Sequence, residues 1–416
     1  MKLCMSESYN QHSRSQSSLW ELAKEQSLLD DALSDVLSAK MNDESKDESR
    51  AIVCVAELGC ATGGNSLGPL SFFANAIANS LRDSLRSKAP KLEIILEILL
   101  VDRPENHWEI LSQTVTPQAI LSHGANSVSE NSFPISIKSV PKCFYKVCSE
   151  EASVDLSYSF SATHWMKAIP NHQQHIDNPC FAIFPTCPCS NLCRNSLELW
   201  QKAAQIQLGE FATSRAKELK PGGRFLGSFA CLESGRDSTP WSRMGKLVRD
   251  VAAEKLSKEQ RWPKALVNAF SKGTVGTLPI AFRTQEELLE AFSERNGWRV
   301  LRYEYAFAKD PLQTVYQNNL ANECLSRHEQ ELSNIKREYA QATMHSWKAA
   351  CLEGLVMSTT TKDGISQQIA RDFWDTICHD SVERMLREDG CCDDTCLGDR
   401  YNLGIPAHFI LVERLD

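Results

Sequence analysis

The chain has 416 residues, of which 42% are hydrophobic and 24% are charged, and its formal net charge is −8. This is the composition of an ordinary globular protein, and because one hydrophobic core rarely grows this large we expect an α/β domain with a second helical layer or subdomain. The acidic charge argues against nucleic-acid binding, which usually requires a basic face. No apolar run reaches the ~18 residues of a membrane span, and the polar N-terminus lacks the apolar segment of a signal peptide.

The N-terminal residues 8–16 are polar and have no periodicity, as in a disordered tail. Ser18 and Glu21 match a capping box, which predicts the start of an amphipathic helix that continues to about residue 37. A polar tail that leads directly into a packed helix can itself be ordered by contacts with the rest of the protein. The mixed-charge residues 40–50 are predicted to form a loop.

Residues 51–56 form a continuous apolar run, which is typical of a strand that a parallel sheet buries on both faces. Glu57 ends this run, and glycines follow at positions 59, 63 and 64. From Leu67 onwards the apolar residues recur at helical spacing. Strand, glycine turn and helix form the nucleotide-binding opening of a doubly wound α/β domain, in which ligands bind at the carboxyl ends of the strands.

The glycine spacing limits the choice of cofactor. Three residues separate Gly59 from Gly63, so the G-x-G-x-x-G pattern of dinucleotide binding is absent, and no lysine follows as it would in a P-loop. An acid before the glycines, Glu57, suits a cofactor that carries positive charge and no phosphate, and S-adenosylmethionine is such a cofactor. A strand, turn and helix without a ligand is the alternative interpretation, since glycine clusters after strands are common.

Asp102 ends the second predicted strand, residues 91–101. An acid in this position can accept hydrogen bonds from a ribose diol, a role that we favour over helix capping. A further core strand is predicted at residues 154–159, and His164 and Trp165 follow it. This pair either lines a substrate pocket or belongs to the core.

The second half of the chain is predicted to contain more helix. The predicted helical regions are residues 195–218, 240–272 and 320–390. The predicted strands are residues 225–229, entered through a tight turn at residues 220–224, and residues 299–307 and 408–413. An extended segment from Leu278 leads into a capping box formed by Thr284 and Glu287.

The sixteen cysteines are spread along the chain, and Cys54 and Cys231 lie inside predicted strands. Disulfide frameworks belong to small secreted domains, so we interpret the cysteines as reduced thiols of an intracellular protein. One cluster combines metal-ligand side chains: His172, His175, Cys180, Cys187, Cys189 and Cys193. Its C-x-C-x₃-C spacing fits poorly with the C-x₂₋₄-C pairs of structural zinc sites, and we predict no metal site there.

Several blocks in the same order resemble the plant-type SABATH family of S-adenosylmethionine-dependent methyltransferases, which includes salicylic, jasmonic and benzoic acid carboxyl methyltransferases and caffeine synthases. In the first half, Ser8-Tyr9…Gln16 resembles S-Y-x-x-N-S-x-x-Q, Glu57-Leu-Gly-Cys60…Asn65 resembles D-L-G-C-S-S-G-P-N, Asp102-Arg103-Pro104 resembles N-D-L-P, and Cys143-Phe144-Tyr145 resembles S-F-Y. Further along, His164-Trp165…Pro170 resembles L-H-W-L-S-x-V-P, Arg215…Arg224 resembles R-x-E-E-L-V-P-G-G-R-M, and Leu278-Pro279…Glu287 resembles I-P-x-Y-x-P-S-x-E-E. The similarity covers nearly the whole chain.

The resemblance implies the class I methyltransferase fold, a Rossmann-like doubly wound α/β sheet with an α-helical cap. The methyltransferase domain would comprise residues 1–239, 273–318 and 400–416, and the cap over the substrate pocket would comprise residues 240–272 and 319–399. A small-molecule acid is the implied partner, and a homodimer is the candidate assembly. From the charge, hydropathy and cysteine usage described above, we expect neither nucleic acid nor membrane as a partner and a cytoplasmic location.

The resemblance also implies the site residues. S-adenosyl-L-methionine would be bound by Tyr9, Glu57, Gly59, Cys60, Asn65, Asp102, Arg103, Cys143 and Phe144. Gln16 and Trp165 would hold the substrate carboxylate, with His164 beside them. A carboxylate is already ionised at pH 7, so the methyl transfer needs alignment in a water-poor pocket and no general base. An amine substrate would need a proton acceptor, for which His164 is the obvious candidate.

The chain departs from the family at several positions. His12 stands where the family has asparagine, and Ser161 where many members have tyrosine. Some members have a magnesium site formed by an asparagine, which Asn178 could match, and a D-S-F-N segment, which residues 274–277 (Thr-Val-Gly-Thr) do not match. We therefore predict no metal there.

Three other functions stay open on the sequence. The first is an N-methyltransferase that acts on a small amine or heterocycle, and the second is a catalytically inactive cofactor-binding homologue. The third is a nicotinamide-dependent oxidoreductase, against which the missing G-x-G-x-x-G pattern counts.

Overall fold

The computed structural model describes residues 14–41, 50–86, 93–123, 133–160, 162–167, 184, 194–232, 238–271, 276–324, 329–360, 364–388 and 396–415. Tyr9, His12, Ser161, Asn178 and the cysteine cluster at residues 172–193 lie outside these described residues.

A seven-stranded mixed sheet is the centre of the fold. Its strands are β1 (Arg50–Leu58), β2 (Glu93–Asp102), β3 (Ile135–Pro141), β4 (Val154–Ser159), β5 (Leu219–Ala230), β6 (Trp298–Ala308) and β7 (Ile405–Arg414). Their order across the sheet is β3-β2-β1-β4-β5-β7-β6. The strands from β3 to β5 are parallel, and β7 runs antiparallel to both β5 and β6. The strand order reverses between β1 and β4, which is where open α/β sheets bind their ligands.

The helices of the described chain follow in order. They are α1 (Arg14–Glu25), α2 (Leu28–Met41), α3 (Leu67–Arg86), α4 (Trp108–Thr114), α5 (Pro117–Ser122), α6 (Arg194–Glu218), α7 (Pro240–Lys258), α8 (Lys264–Ser271), α9 (Gln285–Ala291), α10 (Pro311–Cys324), α11 (Glu329–Thr360), α12 (Gln367–Glu388) and α13 (Cys396–Tyr401).

Both faces of the sheet are covered because successive side chains of a strand point to opposite faces. Val53 and Val55 of β1 pack in the core that contains residues of α1, α2 and α3. Cys54 and Ala56 pack in a second core, which includes Phe211 of α6. This explains the unbroken apolar run of β1, and it confirms the predicted strand.

The remaining helices form a layer of their own. Val248 of α7, Trp347 of α11 and Trp374 of α12 are buried in one apolar core that also includes residues of α8, α10 and α13. The indole Nε1–H of Trp374 donates to the hydroxyl oxygen of Thr359 at 2.9 Å, which satisfies its buried polar group. The second helical layer predicted from the chain length is present.

The predicted N-terminal helix is two helices. α1 begins at Arg14, so Ser18 lies inside the helix and the predicted capping box at Ser18 is wrong. Ser27 has a positive φ of 59° and separates α1 from α2, and its carbonyl oxygen accepts the Asp31 N–H at 2.9 Å. The apolar positions of both helices face the same core, so their spacing did not reveal the interruption.

Two features of the sheet differ from the prediction. β3 was not predicted, because this edge strand is only half-buried and carries polar residues on its exposed positions. The turn at residues 220–224 lies inside β5 as a bulge, since Leu219 pairs with Val154 and Arg224 with Leu156. The predicted strands 91–101, 154–159, 299–307 and 408–413 are β2, β4, β6 and β7, and the predicted helix 195–218 is α6, all with small shifts of their ends. The predicted helical region 240–272 consists of α7 and α8, and the region 320–390 contains α11, α12 and the end of α10, which begins at Pro311. No helix among the described residues is long and apolar enough to cross a membrane.

Candidate functional site

The turn after β1 can be built only with glycine at two positions. Gly59 has a φ of +82°, and a Cβ atom there would lie 2.2 Å from the Cβ atom of Ala162. Gly63 has a φ of +89°, and a Cβ atom there would lie 2.6 Å from Cγ2 of Val115. Both residues adopt left-handed backbone conformations and lie in close contact with a neighbouring segment, which only glycine allows. The turn therefore packs against the segment that follows β4 and against the end of α4.

Glu57 lies at the carboxyl end of β1 and is 8% exposed. Its Oε1 atom accepts a hydrogen bond of 2.9 Å from the Ser66 hydroxyl. Its Oε2 atom is buried and has no hydrogen bond of normal geometry from the described residues. Burial raises the pKa of Glu57 to about 7, although the Ser66 and Tyr158 hydroxyls act in the opposite direction. This carboxylate therefore carries unused capacity to accept a hydrogen bond or to face a positive charge.

Asp102 closes the glycine turn from the end of β2. Its Oδ2 atom accepts the Ala61 N–H at 2.7 Å, and its Oδ1 atom accepts the Arg103 N–H at 2.7 Å. Burial raises its pKa, while these two backbone N–H groups act in the opposite direction. Because each carboxylate oxygen has two lone pairs, both oxygens can still accept a hydrogen bond from a ligand.

The carboxyl ends of β1, β2 and β4 surround a first cavity of about 1140 Å³, part of which is open to solvent. The predicted site residues that line it are Gln16, Glu57, Gly59, Cys60, Asn65, Asp102, Arg103, Cys143, Phe144 and Trp165. The structure thus places every predicted cofactor residue that it describes around one cavity. Trp20, Asn106 and Ala350 also line it and were not predicted.

A second cavity, of about 610 Å³, shares Gln16, Trp165 and Ala350 with the first. His164 lines this second cavity and not the first. Most of its other described lining residues are apolar: Leu19, Phe184, Ala230, Trp241, Ile280, Phe282, Ile405 and Pro406. Gln16, which is 7% exposed in α1, and Trp165 therefore form part of the wall between the first cavity, which contains the carboxylates, and the more apolar second cavity.

The residues around Trp165 are fixed by backbone contacts with an extended segment, residues 278–283. Trp165 forms an antiparallel bridge with Ile280, and the Ala281 N–H donates to the carbonyl oxygen of His164 at 2.8 Å. Tyr145 adds a side-chain contact, since its hydroxyl donates to the carbonyl oxygen of Trp165 at 2.8 Å. The segment continues into the Thr284–Glu287 capping box of α9, which confirms that prediction.

His164 is a weak base in this environment. Burial, together with the positive charge of Arg283, lowers the pKa of His164 to about 4. The imidazole is therefore neutral at pH 7.

A buried ion pair holds the loop that carries Cys143 and Phe144. The guanidinium of Arg215 donates to the carbonyl oxygens of Phe144 at 2.7 Å and Lys146 at 2.8 Å. It also donates to the Glu218 carboxylate at 2.7 Å, and both side chains are 0–2% exposed. The sequence block that contains these two residues was identified only by its resemblance, and their role in positioning the loop was missed.

Among the residues that the structure describes, no group of three or more His, Cys, Asp and Glu side chains could hold a metal ion. The side chains that line the first cavity fit an organic cation with a ribose better, since they offer carboxylate acceptors at Glu57 and Asp102 beside the aromatic ring of Phe144.

The strand order, with β7 antiparallel between β5 and β6, and the acid at the end of β2 define a class I methyltransferase fold. Loganic acid methyltransferase with SAH has the same fold, with a TM-score of 0.63 and 16% sequence identity over 98% of this chain and 96% of that chain. The predicted fold class is confirmed.

Sequence comparison leads to the same class. Methyltransferase FUS9 of Gibberella moniliformis is 26% identical over 60% of this chain and 58% of its own length. Methyltransferase LUC1 of Fusarium sp is 28% identical over 44% of this chain, which spans 41% of that protein. The jasmonate O-methyltransferase of Arabidopsis thaliana is 22% identical over 97% of this chain and 94% of its own length.

The sequence model of the SAM dependent carboxyl methyltransferases matches residues 4–384, and the chain belongs to this family. This match confirms the family that the sequence blocks indicated, and S-adenosyl-L-methionine is the cofactor. The described residues fit this cofactor, because the glycine turn leaves no room for a Cβ atom and the carboxylates of Glu57 and Asp102 line the same cavity.

Proposed function

We propose that this protein transfers the methyl group of S-adenosylmethionine to the carboxylate of a small organic acid and so forms a methyl ester. The observation that carries the proposal is the position of Gln16 and Trp165, which border both cavities. An amide N–H and an indole N–H are donors, and a carboxylate is a group that only accepts. Donors on the wall between the two chambers are suited to hold an acid with its oxygen towards the cofactor.

The cofactor, when bound, supplies a methyl group on a positively charged sulfur. The residues of this chain bind and orient the reactants. Asp102 would accept hydrogen bonds from the ribose hydroxyls of the cofactor, and Glu57 would face the positive charge of the cofactor. The loop with Cys143 and Phe144 would contact the adenine ring of the cofactor. Gly59, Cys60, Asn65 and Arg103 complete the described lining, and Tyr9 is retained as a proposed contact outside the described residues.

The acid needs no general base, because it is ionised at pH 7. Alignment of two reactants can supply ~7–11 kcal/mol of the barrier. The apolar second cavity would hold the body of the acid and keep water from the reacting oxygen. These two effects are the catalytic contribution that we assign to the chain.

The helical layer is the proposed cap, residues 240–272 and 319–399. α11 contributes Ala350 to both cavities, Gly354 to the first and Cys351 to the second. α7 contributes Trp241 to the second cavity. These contacts support a cap that covers the substrate, with the methyltransferase domain formed by residues 1–239, 273–318 and 400–416.

An N-methyltransferase is supported less well. A protonated amine must lose its proton before it attacks, and His164 is the acceptor predicted for that step. With a pKa of about 4, the neutral imidazole is a poor acceptor at pH 7.

The free thiols at Cys54 and Cys231 support the proposed cytoplasmic location, because disulfides are rare in that compartment. The proposed homodimer is a separate point, and light scattering can check it.

The test is a turnover screen with radiolabelled S-adenosylmethionine against carboxylic acids and against amines and phenols of similar size. We expect a base-labile methyl ester from at least one acid. Methylation of an amine or phenol alone would contradict the proposal. Binding of the cofactor without turnover of any compound would favour the inactive homologue.

A further inference from the structure

Arg283 is a buried cation whose side chain lacks a counter-ion among the described residues. It is 1% exposed, its Nε, Nη1 and Nη2 atoms are all buried, and none of them has an acceptor at normal hydrogen-bond geometry in that part of the chain. A buried arginine is normally paired, because an isolated buried charge is costly. The presence of Arg283 at this position is therefore not explained by stability.

The backbone of Arg283 is fixed beside the proposed acid site. Its N–H donates to the carbonyl oxygen of Ala230 at 2.8 Å, and Ala230 lines the second cavity. Phe282, the preceding residue, lines the same cavity, and Thr284, the following residue, caps α9. The extended segment that ends in Arg283 is the one that pairs with His164 and Trp165.

The charge of Arg283 acts on two residues of the site. Burial raises the pKa of Tyr145, and the guanidinium opposes that rise by its charge and by a side-chain contact with the Tyr145 hydroxyl. The same charge adds to the effect of burial in lowering the pKa of His164. Tyr145 lines the first cavity and His164 the second. The guanidinium therefore lies behind the wall that the two cavities share, close enough for its field to reach the position between them.

We infer that Arg283 supplies the counter-charge for the substrate carboxylate and acts as a positioning residue from behind Tyr145 and His164. The inference rests on the proposed function and adds that the site selects an ionised acid over a neutral acceptor of the same shape. Arg283 does not line either cavity, so its contribution is the field and not a direct hydrogen bond. It stands at the position of proline in the I-P-x-Y-x-P-S-x-E-E block, so this charge is absent from that family pattern.

The experiment compares the acid identified in the turnover screen with its primary amide, which has the same shape and no charge. Dissociation constants of both are measured by calorimetry with the S-adenosylhomocysteine complex, for the wild type, R283M and R283K. We expect the wild type to prefer the acid at least tenfold, R283M to lose most of this preference, and R283K to retain it. The melting temperature of R283M should be higher than that of the wild type, although its acid preference is lower, because the variant removes a buried charge that has no counter-ion.

R249M is the matched control, because Arg249 of α7 is also a buried arginine but lines neither cavity. It should keep the acid preference of the wild type. An unchanged preference in R283M, or equal binding of acid and amide by the wild type, would overturn the inference; the wild-type comparison needs no variant to fold. If the turnover screen finds no methylated acid, the proposed function is contradicted. That result is distinct from the binding preference for acid over amide, which tests the role of Arg283.

Discussion

The Tyr145 hydroxyl donates a hydrogen bond of 2.8 Å to the backbone carbonyl oxygen of Trp165. Tyr145 belongs to the loop that lines the first cavity, and Trp165 lies on the wall shared with the second. One hydrogen bond therefore joins the proposed cofactor loop to the proposed acid clamp and couples the position of Trp165 to that loop.

Replacing Tyr145 with phenylalanine should reduce kcat/KM for the acid more than it reduces cofactor affinity. The change removes one hydrogen bond and leaves a carbonyl oxygen unsatisfied, for which we expect a loss of ~1–2 kcal/mol, or about 5–30-fold. Steady-state kinetics and calorimetry with S-adenosylhomocysteine measure the two effects. A variant that loses cofactor affinity alone would show that this hydrogen bond does not orient Trp165.

Replacing Asp102 with alanine should weaken cofactor binding. Loss of hydrogen bonds to an ionised acceptor costs ~1.5–3 kcal/mol, and calorimetry measures this directly. Asp102→Asn keeps the size of the side chain but sets its NH2 group against one of the two backbone N–H donors, of Ala61 or Arg103, so it should weaken cofactor binding as well. An unchanged dissociation constant in Asp102→Ala would show that this carboxylate does not hold the ribose.

Gln16→Ala and Trp165→Phe should each lower kcat/KM for the acid by on the order of ten- to a hundredfold, since each removes a hydrogen bond to a charged group. The double variant should be less than additive if, as proposed, both donors act on one carboxylate. Gln205→Ala on the exposed side of α6 is a control that should behave as the wild type. Wild-type rates in both single variants would contradict the acid clamp and make an amine or hydroxyl acceptor the better hypothesis.

The buried carboxyl of Glu57 should make cofactor binding depend on pH. Its pKa in the folded protein is about 7, above the ordinary value of 4.5, so its contribution to stability falls as pH rises from about 4.5 to about 7 and is level above that. A cationic ligand favours the ionised form, so cofactor affinity should rise through pH 7 and binding near pH 6.5 should release a proton. Calorimetry in buffers of different ionisation enthalpy detects that proton. Glu57→Gln should abolish the release, and a release that persists in this variant would assign it to another group.

The sequence revealed those parts of the site that local chemistry determines. Gly59 and Asp102 were predicted because each residue type has a specific use at the end of a strand, and parallel strands bring their carboxyl ends to one edge. The Arg215–Glu218 pair and the buried Arg283 could not be interpreted in the same way, since their meaning depends on contacts with segments far away in the chain. β3 was missed because a half-buried edge strand has a weak apolar pattern, and the break at Ser27 because both helices share one apolar face.

Glu57 borders the first cavity, and Arg283 is buried behind the wall that the two cavities share, so the two reactants of the proposed site would each have an opposite charge nearby. The proposed reaction consumes a sulfonium cation and a carboxylate anion and leaves a neutral sulfide and a neutral ester. The ionised form of Glu57 and the guanidinium of Arg283 are thus each complementary to a reactant and have no counterpart in the corresponding product. The same arrangement that gathers the reactants would therefore favour the departure of both products, so that turnover need not be limited by their release.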